Sequence, residues 1–543
     1  MMLRTDVWIS GSCTEIDQTT HSVQVYIIGL VNTIVDKTQI MEDTSEYCYL
    51  GWALVSLALL LATFRWWRLT ANNGLRLPPG PWQLPFIGSL HHLAGQLPHR
   101  ALRELAQRHG PVMLLRLGEV PTLVLSSPEA AREVMKIQDL AFATRPLTPT
   151  MSVLTCGGRD IIFAPYGEYW RQLRKIVVTE LLVARRVASF RAIREEEVAA
   201  MLREVGSAAA AGCQVDMRAR LSTVVSDTTF RAVMGDRCKQ RELFLRELDN
   251  LVGLATGFNP VDLWPSSWLV RRFSGTLRRA EENHALVYGI IRGVIQDHLD
   301  RNKQGEEDED MLDVLLKIHK DGEIDMVAVE AVIFDLFAAG SETSATTLEW
   351  AMASLVKNPR VMKKVTAEVR RAFKASGMVV EDRLGEVPYL HLVIRETLRM
   401  HGPAPLLLPR ECREPCKVMG FDVPKGTQVI VNAWALGHDG RCWPDGTEEF
   451  RPERFQAGAD AAAVDFRGTD FELLPFGAGR RMCPGMAFGL ASVELPLASL
   501  LLHFDWEAPD LAGFDMTEAF GVTARRKADL LLRPSLRVHV PSP

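Results

Sequence analysis

No Cys-x-x-Cys pair occurs in this chain of 543 residues. Its nine cysteines, at positions 13, 48, 156, 213, 238, 412, 416, 442 and 483, are odd in number and irregularly spaced. That argues against a disulfide framework and for reduced thiols facing the cytosol. Cys412 and Cys416 stand four apart, but no histidine or second pair completes a zinc site, and both read as structural. Neither charge dominates: 62 basic against 67 acidic side chains leave a net charge of −5. Without a basic excess, nucleic acid is not an expected partner. Internal repeats are missing too, and nothing after residue 85 reads as a linker, so one large domain is expected there.

What is present begins with apolar content, at 47% enough for a substantial core. The most distinctive string is Pro475-Phe476-Gly477-Ala478-Gly479-Arg480-Arg481-Met482-Cys483-Pro484-Gly485, followed by an apolar run. The order reads as a tight glycine loop and then a helix, with Pro484 suited to the first helical position. Cys483 would then sit near free N–H groups and beside two arginines, a setting that lowers a thiol's pKa. Two other readings stay open on these residues alone. A cysteine in apolar surroundings is often an inert small hydrophobe, and a glycine-rich, arginine-bearing loop can be an anion site.

Helical periodicity dominates from about residue 98. Short β-like runs at 112–117 and 122–125 predict a hairpin, with further strands near 428–431 and 530–540. The alanine tract 208–212 reads as a loop or helix end, and the acidic run 306–310 as a solvated loop. Residues 324–356 predict one long helix stopped by Asn358-Pro359, roughly 50 Å in length. Small and polar residues interrupt it: Ala339-Gly340-Ser341-Glu342-Thr343-Ser344. Thr343 can bond the carbonyl of Ala339, four residues back, and loosen the helix beside a cofactor. A helix–helix contact through small residues is the competing reading of Ala-Gly-Ser alone. Further on come Glu396-Thr397-Leu398-Arg399 and Arg451-Pro452-Glu453-Arg454-Phe455.

Taken together, these strings resemble the cytochrome P-450 superfamily. The loop fits Phe-x-x-Gly-x-Arg-x-Cys-x-Gly at every fixed position; the interrupted helix is similar to the oxygen-activation motif; Glu-x-x-Arg and Pro-Glu-Arg-Phe follow in order. Phe163-Ala164-Pro165-Tyr166-Gly167-Glu168-Tyr169-Trp170 and Val431-Asn432-Ala433-Trp434-Ala435 look like the plant microsomal 71 clan, with a grass-like terpenoid-oxidase subgroup suspected. The resemblance implies a mainly α fold with small β-sheets and a long central helix over haem. It implies haem b held by Cys483 as axial iron ligand, with Thr343 and Glu342 catalytic in proton relay. Cofactor contacts carried over are Trp170, Arg174, Ala339, Gly340, Arg410, Pro475, Phe476, Gly477, Arg481 and Gly485. Glu396, Arg399 and Arg454 would form a buried network under the haem. The substrate pocket would draw on 148–163, Asp335, Ala404, Leu406 and Phe520. Two departures stand out: His401-Gly402-Pro403 where His-Pro-Pro is usual, and Gly437-His438-Asp439-Gly440 for Gly-Arg-Asp-Pro.

The implied activity is a haem-thiolate monooxygenase inserting one atom of O2 into a C–H bond. Electrons would come from NADPH through cytochrome P-450 reductase, with cytochrome b5 a second candidate donor. The small and aliphatic pocket residues suit a bulky apolar plant metabolite, with a terpenoid as the lead and a phenylpropanoid, indole or oxime intermediate as the alternative. An isomerase or dehydratase would tend to lack Thr343. A haem-binding sensor would have no use for an anchor, hinge and relay pair together.

The N-terminal part has its own organisation. Residues 49–64 carry no charge over sixteen positions, just short of the roughly 20 of a usual span. Tryptophans 52, 66 and 67 flank the run, with acidic residues before it and arginines after it. By the positive-inside rule the C-terminal bulk faces the cytosol, so 48–68 is expected to be a single-pass anchor in the endoplasmic reticulum membrane. Leu77-Pro78-Pro79-Gly80-Pro81-Trp82 makes 69–85 a stiff proline-rich hinge, and 86–543 is the catalytic domain. Met41-Glu42-Asp43 directly before the anchor looks like a translation start, which makes 1–40 a mis-assigned extension. Native peptides from 1–40 should then be missing by mass spectrometry; finding them reverses the reading.

Overall fold

The computed structural model describes residues 45–70, 74–235, 240–302, 310–519 and 521–540. The expected extension 1–40, most of the acidic run and Phe520 lie outside these residues. The chain divides into Met1–Ala71 and Asn72–Pro543. In the first unit the apolar run lies within helix α1 (Ser45–Thr70), 26 residues or about 39 Å. Its described side chains Trp52, Leu54, Leu57 and Leu60 are exposed.

In the second unit the predicted hairpin is present as β1 (Val112–Leu117) and β2 (Val120–Leu125), paired antiparallel with Leu114 opposite Leu123. Two later strands complete this sheet: β3 (Arg410–Glu411) and β4 (Gln428–Val431), in the order β1-β2-β4-β3. β4 runs parallel to β2, Leu123 opposite Val429, so the sheet joins chain segments some three hundred residues apart. Near the C-terminus β5 (Phe504–Glu507) and β6 (Leu531–Leu536) pair antiparallel, which sets the expected final strand inside 530–540. The proline string lies extended against the sheet. The N–H of Leu114 donates to the carbonyl of Pro79 at 2.9 Å. A Cβ on Gly80 would stand 2.1 Å from the carbonyl oxygen of Leu114, so only glycine allows this approach.

Five helices position the site: α2 (Glu168–Ile176), α3 (Met217–Met234), α4 (Met326–Lys357), α5 (Pro388–Met400) and α6 (Met486–His503). α4 is the long predicted helix, 32 residues or about 48 Å. Asp325 caps it, accepting from the N–H of Ala328 at 2.9 Å, and the next helix opens with Pro359. Most of α4 is buried on all sides, which explains its near-continuous apolar sequence. α3 and α6 pack against it. α6 is long and apolar enough to cross a membrane, yet 67% of it is buried inside the protein, as befits a core helix.

Two local expectations are corrected. Pro484 is not the first residue of α6: the helix starts at Met486 with Gly485 as its cap. Asp310, at the end of the acidic run, is no solvated loop residue. It is buried and caps the helix Met311–Lys320, accepting from the N–H of Asp313 at 2.9 Å and bonding His298 at 2.8 Å. The alanine tract ends a helix as expected, Arg191–Ala210.

Candidate active site around Cys483

The cysteine loop closes on itself through the Cys483 N–H, which donates to the carbonyl of Phe476 at 2.9 Å. Phe476 itself packs edge-on against Phe466, centroids 5.6 Å apart. Gly479 has φ +70°, and a Cβ there would stand 2.1 Å from the Met135 carbonyl oxygen. Gly477 lies beside it, also at positive φ, and Pro475 is half-buried at the loop's start. Cys483 is exposed, although protein atoms surround most of it. That crowding has a consequence: burial pushes the thiol up, while the Gly485 N–H and Arg174 pull it down without prevailing. The expectation of a lowered thiol pKa is therefore wrong for the protein alone. α6 begins three residues later, and the protein's own groups do not overcome desolvation. A bound cation would, because a metal deprotonates a coordinating thiol outright.

On α4, Ala339 is exposed in the middle of an otherwise buried helix. Thr343 donates its hydroxyl to the Ala339 carbonyl at 2.6 Å, the i−4 bond the spacing predicted, and Thr347 repeats it onto Thr343 at 2.8 Å. A Cβ on Gly340 would be 3.8 Å from both Phe488 on α6 and Thr229 on α3, an ordinary packing contact. Glu342 turns elsewhere. Its carboxylate accepts from the Thr523 hydroxyl, and burial pushes its pKa up against the pull of Thr523 and Arg525.

Asp335 was expected in the substrate pocket. It is buried at 3% exposure, its Oδ2 accepting from the N–H groups of Ile161 at 2.8 Å and Ile162 at 3.2 Å, within the segment 148–163. Burial and the neighbouring Asp160 push its carboxyl well up, and burial takes Asp160 to about 7. Ala404 and Leu406 are half-buried on the stretch leading into β3.

Four buried or half-buried arginines gather near the loop. Arg481 donates to the carbonyls of Ala143 at 2.6 Å and Ile162 at 3.2 Å, and to that of Ala164. Arg410 donates to Ala478 at 2.7 Å, and Arg174 to Met482 at 2.6 Å. Arg145 donates to Leu408 and Pro409 at 2.9 and 3.0 Å, but its buried Nε has no partner. Burial lowers all four, Arg481 to about 9, and mutual repulsion adds to it for Arg145 and Arg481. The carboxylates that oppose this charge are Asp139, beside Arg410, and Asp160, beside Arg145 and Arg481. Trp170 is not a free donor here: its N–H is committed to the Ile161 carbonyl at 3.0 Å, and its ring lies 4.2 Å from the Arg481 guanidinium. Arg145 escaped the sequence reading because a lone arginine before proline carries no pattern. A sulfur facing open space, an exposed patch on α4 and an excess of buried guanidiniums fit a haem, whose two propionates such cations recognise.

Beneath the loop, Glu396 on α5 is fully buried. Arg399 grips it with two bonds of 2.9 Å, and Arg454 reaches both oxygens at 3.0 and 3.1 Å. Arg399 also donates to the carbonyls of Gly437 at 2.6 Å and Thr447 at 3.0 Å. At the two departing strings the histidines stack on tryptophans. His401 lies 4.1 Å from Trp350 at 5° between planes, and His438 lies 4.2 Å from Trp434, while burial holds the two imidazoles down to about 4 and about 3. Where the usual arginine is lost, Arg103 donates to the His438 carbonyl at 2.8 Å.

This fold and site define a haem-thiolate protein. The family model described as Cytochrome P450 matches residues 78–532, and the chain belongs to that family. It is 45% identical to the dolabradiene monooxygenase of Zea mays, over 92% of this chain and 99% of that one. It is also 45% identical to the desmethyl-deoxy-podophyllotoxin synthase of Sinopodophyllum hexandrum, over 90% and 98%. Among solved structures, a zebra fish cytochrome P450 with progesterone superposes with a TM-score of 0.69 at 26% identity, over 81% of this chain and 99% of that one. The protein is accordingly a haem monooxygenase, using O2, an apolar substrate and a redox partner.

Removing Arg399 leaves buried Glu396 with Arg454 as its one guanidinium, strips two charge-assisted bonds and orphans the carbonyls of Gly437 and Thr447, a disruption of roughly 3–5 kcal/mol. Arg399→Ala should therefore yield little haem-loaded protein, measured as haem per polypeptide; normal loading would contradict this.

Proposed function

We propose that this protein hydroxylates a terpenoid at the endoplasmic reticulum membrane, with electrons from NADPH through cytochrome P-450 reductase and with cytochrome b5 as a further donor. The observation that carries the reading is the excess of buried guanidiniums beside an open thiol loop, together with the exposed Ala339 turn of α4. Bound haem supplies the oxidising chemistry, activation of O2 and insertion of one oxygen into a C–H bond. The chain's residues hold and surround it. Cys483 would hold the haem iron through its sulfur, and Pro475, Phe476, Gly477 and Gly485 shape the loop that presents it. Arg145, Arg174, Arg410 and Arg481 would neutralise the propionates, with the Trp170 ring beside Arg481. Ala339 and Gly340 give the cofactor room, and Thr343 passes a proton that Glu342 supplies. Glu396, Arg399 and Arg454 brace the loop from below.

Terpenoid chemistry is supported by the aliphatic stretch Ala404 to Leu408 and by the identity to a dolabradiene monooxygenase. Asp335 supports the pocket segment through its bonds to the Ile161 and Ile162 N–H groups. Membrane attachment is supported by the apolar, exposed side chains of α1 and by its length. Residues 48–68 are the anchor, 69–85 the hinge and 86–543 the catalytic domain in the cytosol.

Expression with a reductase should give NADPH-dependent hydroxylated product from at least one sesquiterpene or diterpene in a panel. Equal identity to a synthase named for a podophyllotoxin is the reason the panel includes phenylpropanoid, indole and oxime compounds; product only from these would replace the terpenoid assignment. Cys483→Ser should abolish the red-shifted Soret band of the reduced carbon-monoxide complex, and survival of that band would remove Cys483 as ligand.

A further inference from the structure

Glu342 and Thr343 are consecutive, so on a helix their side chains diverge by about 100°. The structure shows what occupies each direction. Thr343 closes onto its own helix at Ala339. Glu342 reaches across to the C-terminal segment, where Thr523 donates its hydroxyl to Oε1. That segment is tied down independently. The Ala524 N–H donates to the carbonyl of Pro403 at 2.9 Å, and the indole of Trp350, also on α4, donates to the carbonyl of Ala524 at 2.8 Å. Thr523 therefore sits at a fixed distance from α4 with or without its own bond to Glu342. Two residues on, Arg525 pairs with Asp249 at 3.4 Å, and both side chains are about half exposed, at 45% and 60%. A solvent-facing ion pair thus lies on the same segment as the hydroxyl that holds the carboxylate.

We propose that Thr523 is a positioning residue for proton supply: its hydroxyl holds the Glu342 carboxyl on the side of the Arg525–Asp249 pair, where water can reprotonate it. The proposal rests on the reading of Glu342 and Thr343 as the relay. Removing the hydroxyl leaves a half-buried carboxylate with no neutral donor and several rotamers, so fewer molecules hold it where solvent protons arrive. The loop itself stays in place through Ala524.

The test uses the full chain, haem-loaded, with a reductase and NADPH but without organic substrate, so that O2 is the probe. Reduction by two electrons and two protons gives hydrogen peroxide; four electrons and four protons give two waters. Impaired proton supply favours peroxide. Thr523→Val should raise the peroxide-to-water ratio roughly threefold or more, a modest share of what a positioned acid–base group contributes. It should also broaden or split the C–O stretching band of the reduced carbon-monoxide complex, which reports the polar groups around the bound gas. Thr523→Ser should restore both readouts. If Thr523→Val fails to hold haem, Thr523→Ala takes its place, removing the hydroxyl without adding a methyl group. Glu342→Gln separates the two readings. If Glu342→Gln raises peroxide while the Thr523 variants match wild type in ratio and band shape, the positioning role is overturned and the relay stands. If Glu342→Gln itself matches wild type, the relay reading falls and the proposal falls with it.

Discussion

A single buried carboxylate fixes much of the architecture below the site. Glu396 accepts from Arg399 on its own helix, from Arg454 some fifty residues on and from the backbone N–H of Arg451 at 2.9 Å. Arg399 in turn spends its remaining donors on the carbonyls of Gly437 and Thr447. One carboxylate with two guanidiniums thus pins α5, the 437 turn and the irregular 447–454 stretch to one point. A buried ion pair of this kind contributes little net stability compared with an apolar replacement, but it cannot be dismantled one member at a time. Its value is in specification. Irregular backbone has no ladder to set its position, and here side-chain charge does that work ahead of the loop that carries Cys483.

Near the cysteine the excess of cations is larger: Arg145, Arg174, Arg410 and Arg481 face the carboxylates of Asp139 and Asp160. All four spend donors on backbone carbonyls: those of Ala143, Ile162 and Ala164 from Arg481, Ala478 from Arg410, Leu408 and Pro409 from Arg145, and Met482 from Arg174. The cations are therefore held before any anion arrives, and a dianion entering between them meets preorganised donors. The raised Cys483 thiol fits the same logic. Burial alone favours the neutral thiol, and the charge of a bound metal would be what stabilises a thiolate there.

Much of this was legible in the sequence where the signal is local. The length and C-terminal limit of α4 follow from an apolar run and Asn358-Pro359, though the Asp325 cap starts the helix two residues later than expected, and the Thr343 bond follows from four-residue spacing. The Glu396–Arg399 pair follows from three-residue spacing, though its burial does not; burial came through the resemblance. What the sequence could not carry depends on chain segments meeting far apart or on which way a side chain turns. The parallel pairing of β2 with β4 needs the fold. Arg145 has no motif around it. Asp335 lies on the expected helix, but its bonds to Ile161 and Ile162 were not foreseen, because two adjacent N–H groups of an irregular segment need an acceptor that only the fold brings near. Trp170 likewise gives its N–H to the backbone and serves through Arg481.

The pair Glu342 and Thr343 shows why neighbours in sequence need not be neighbours in function. Their 100° divergence on α4 lets one side chain open onto the exposed Ala339 turn while the other meets the C-terminal segment. A hydroxyl and a carboxylate on the same face would compete for one proton and for one another. Set apart, the hydroxyl is held by its own helix and the carboxylate by Thr523, so each has a defined partner when no proton is moving. Around that turn the packing is ordinary: a Cβ on Gly340 would meet Phe488 of α6 and Thr229 of α3 at 3.8 Å, while Trp350, two turns on, bonds Ala524. A long buried helix keeps its regular course past a glycine and a back-bonded threonine because its other turns are packed on most sides.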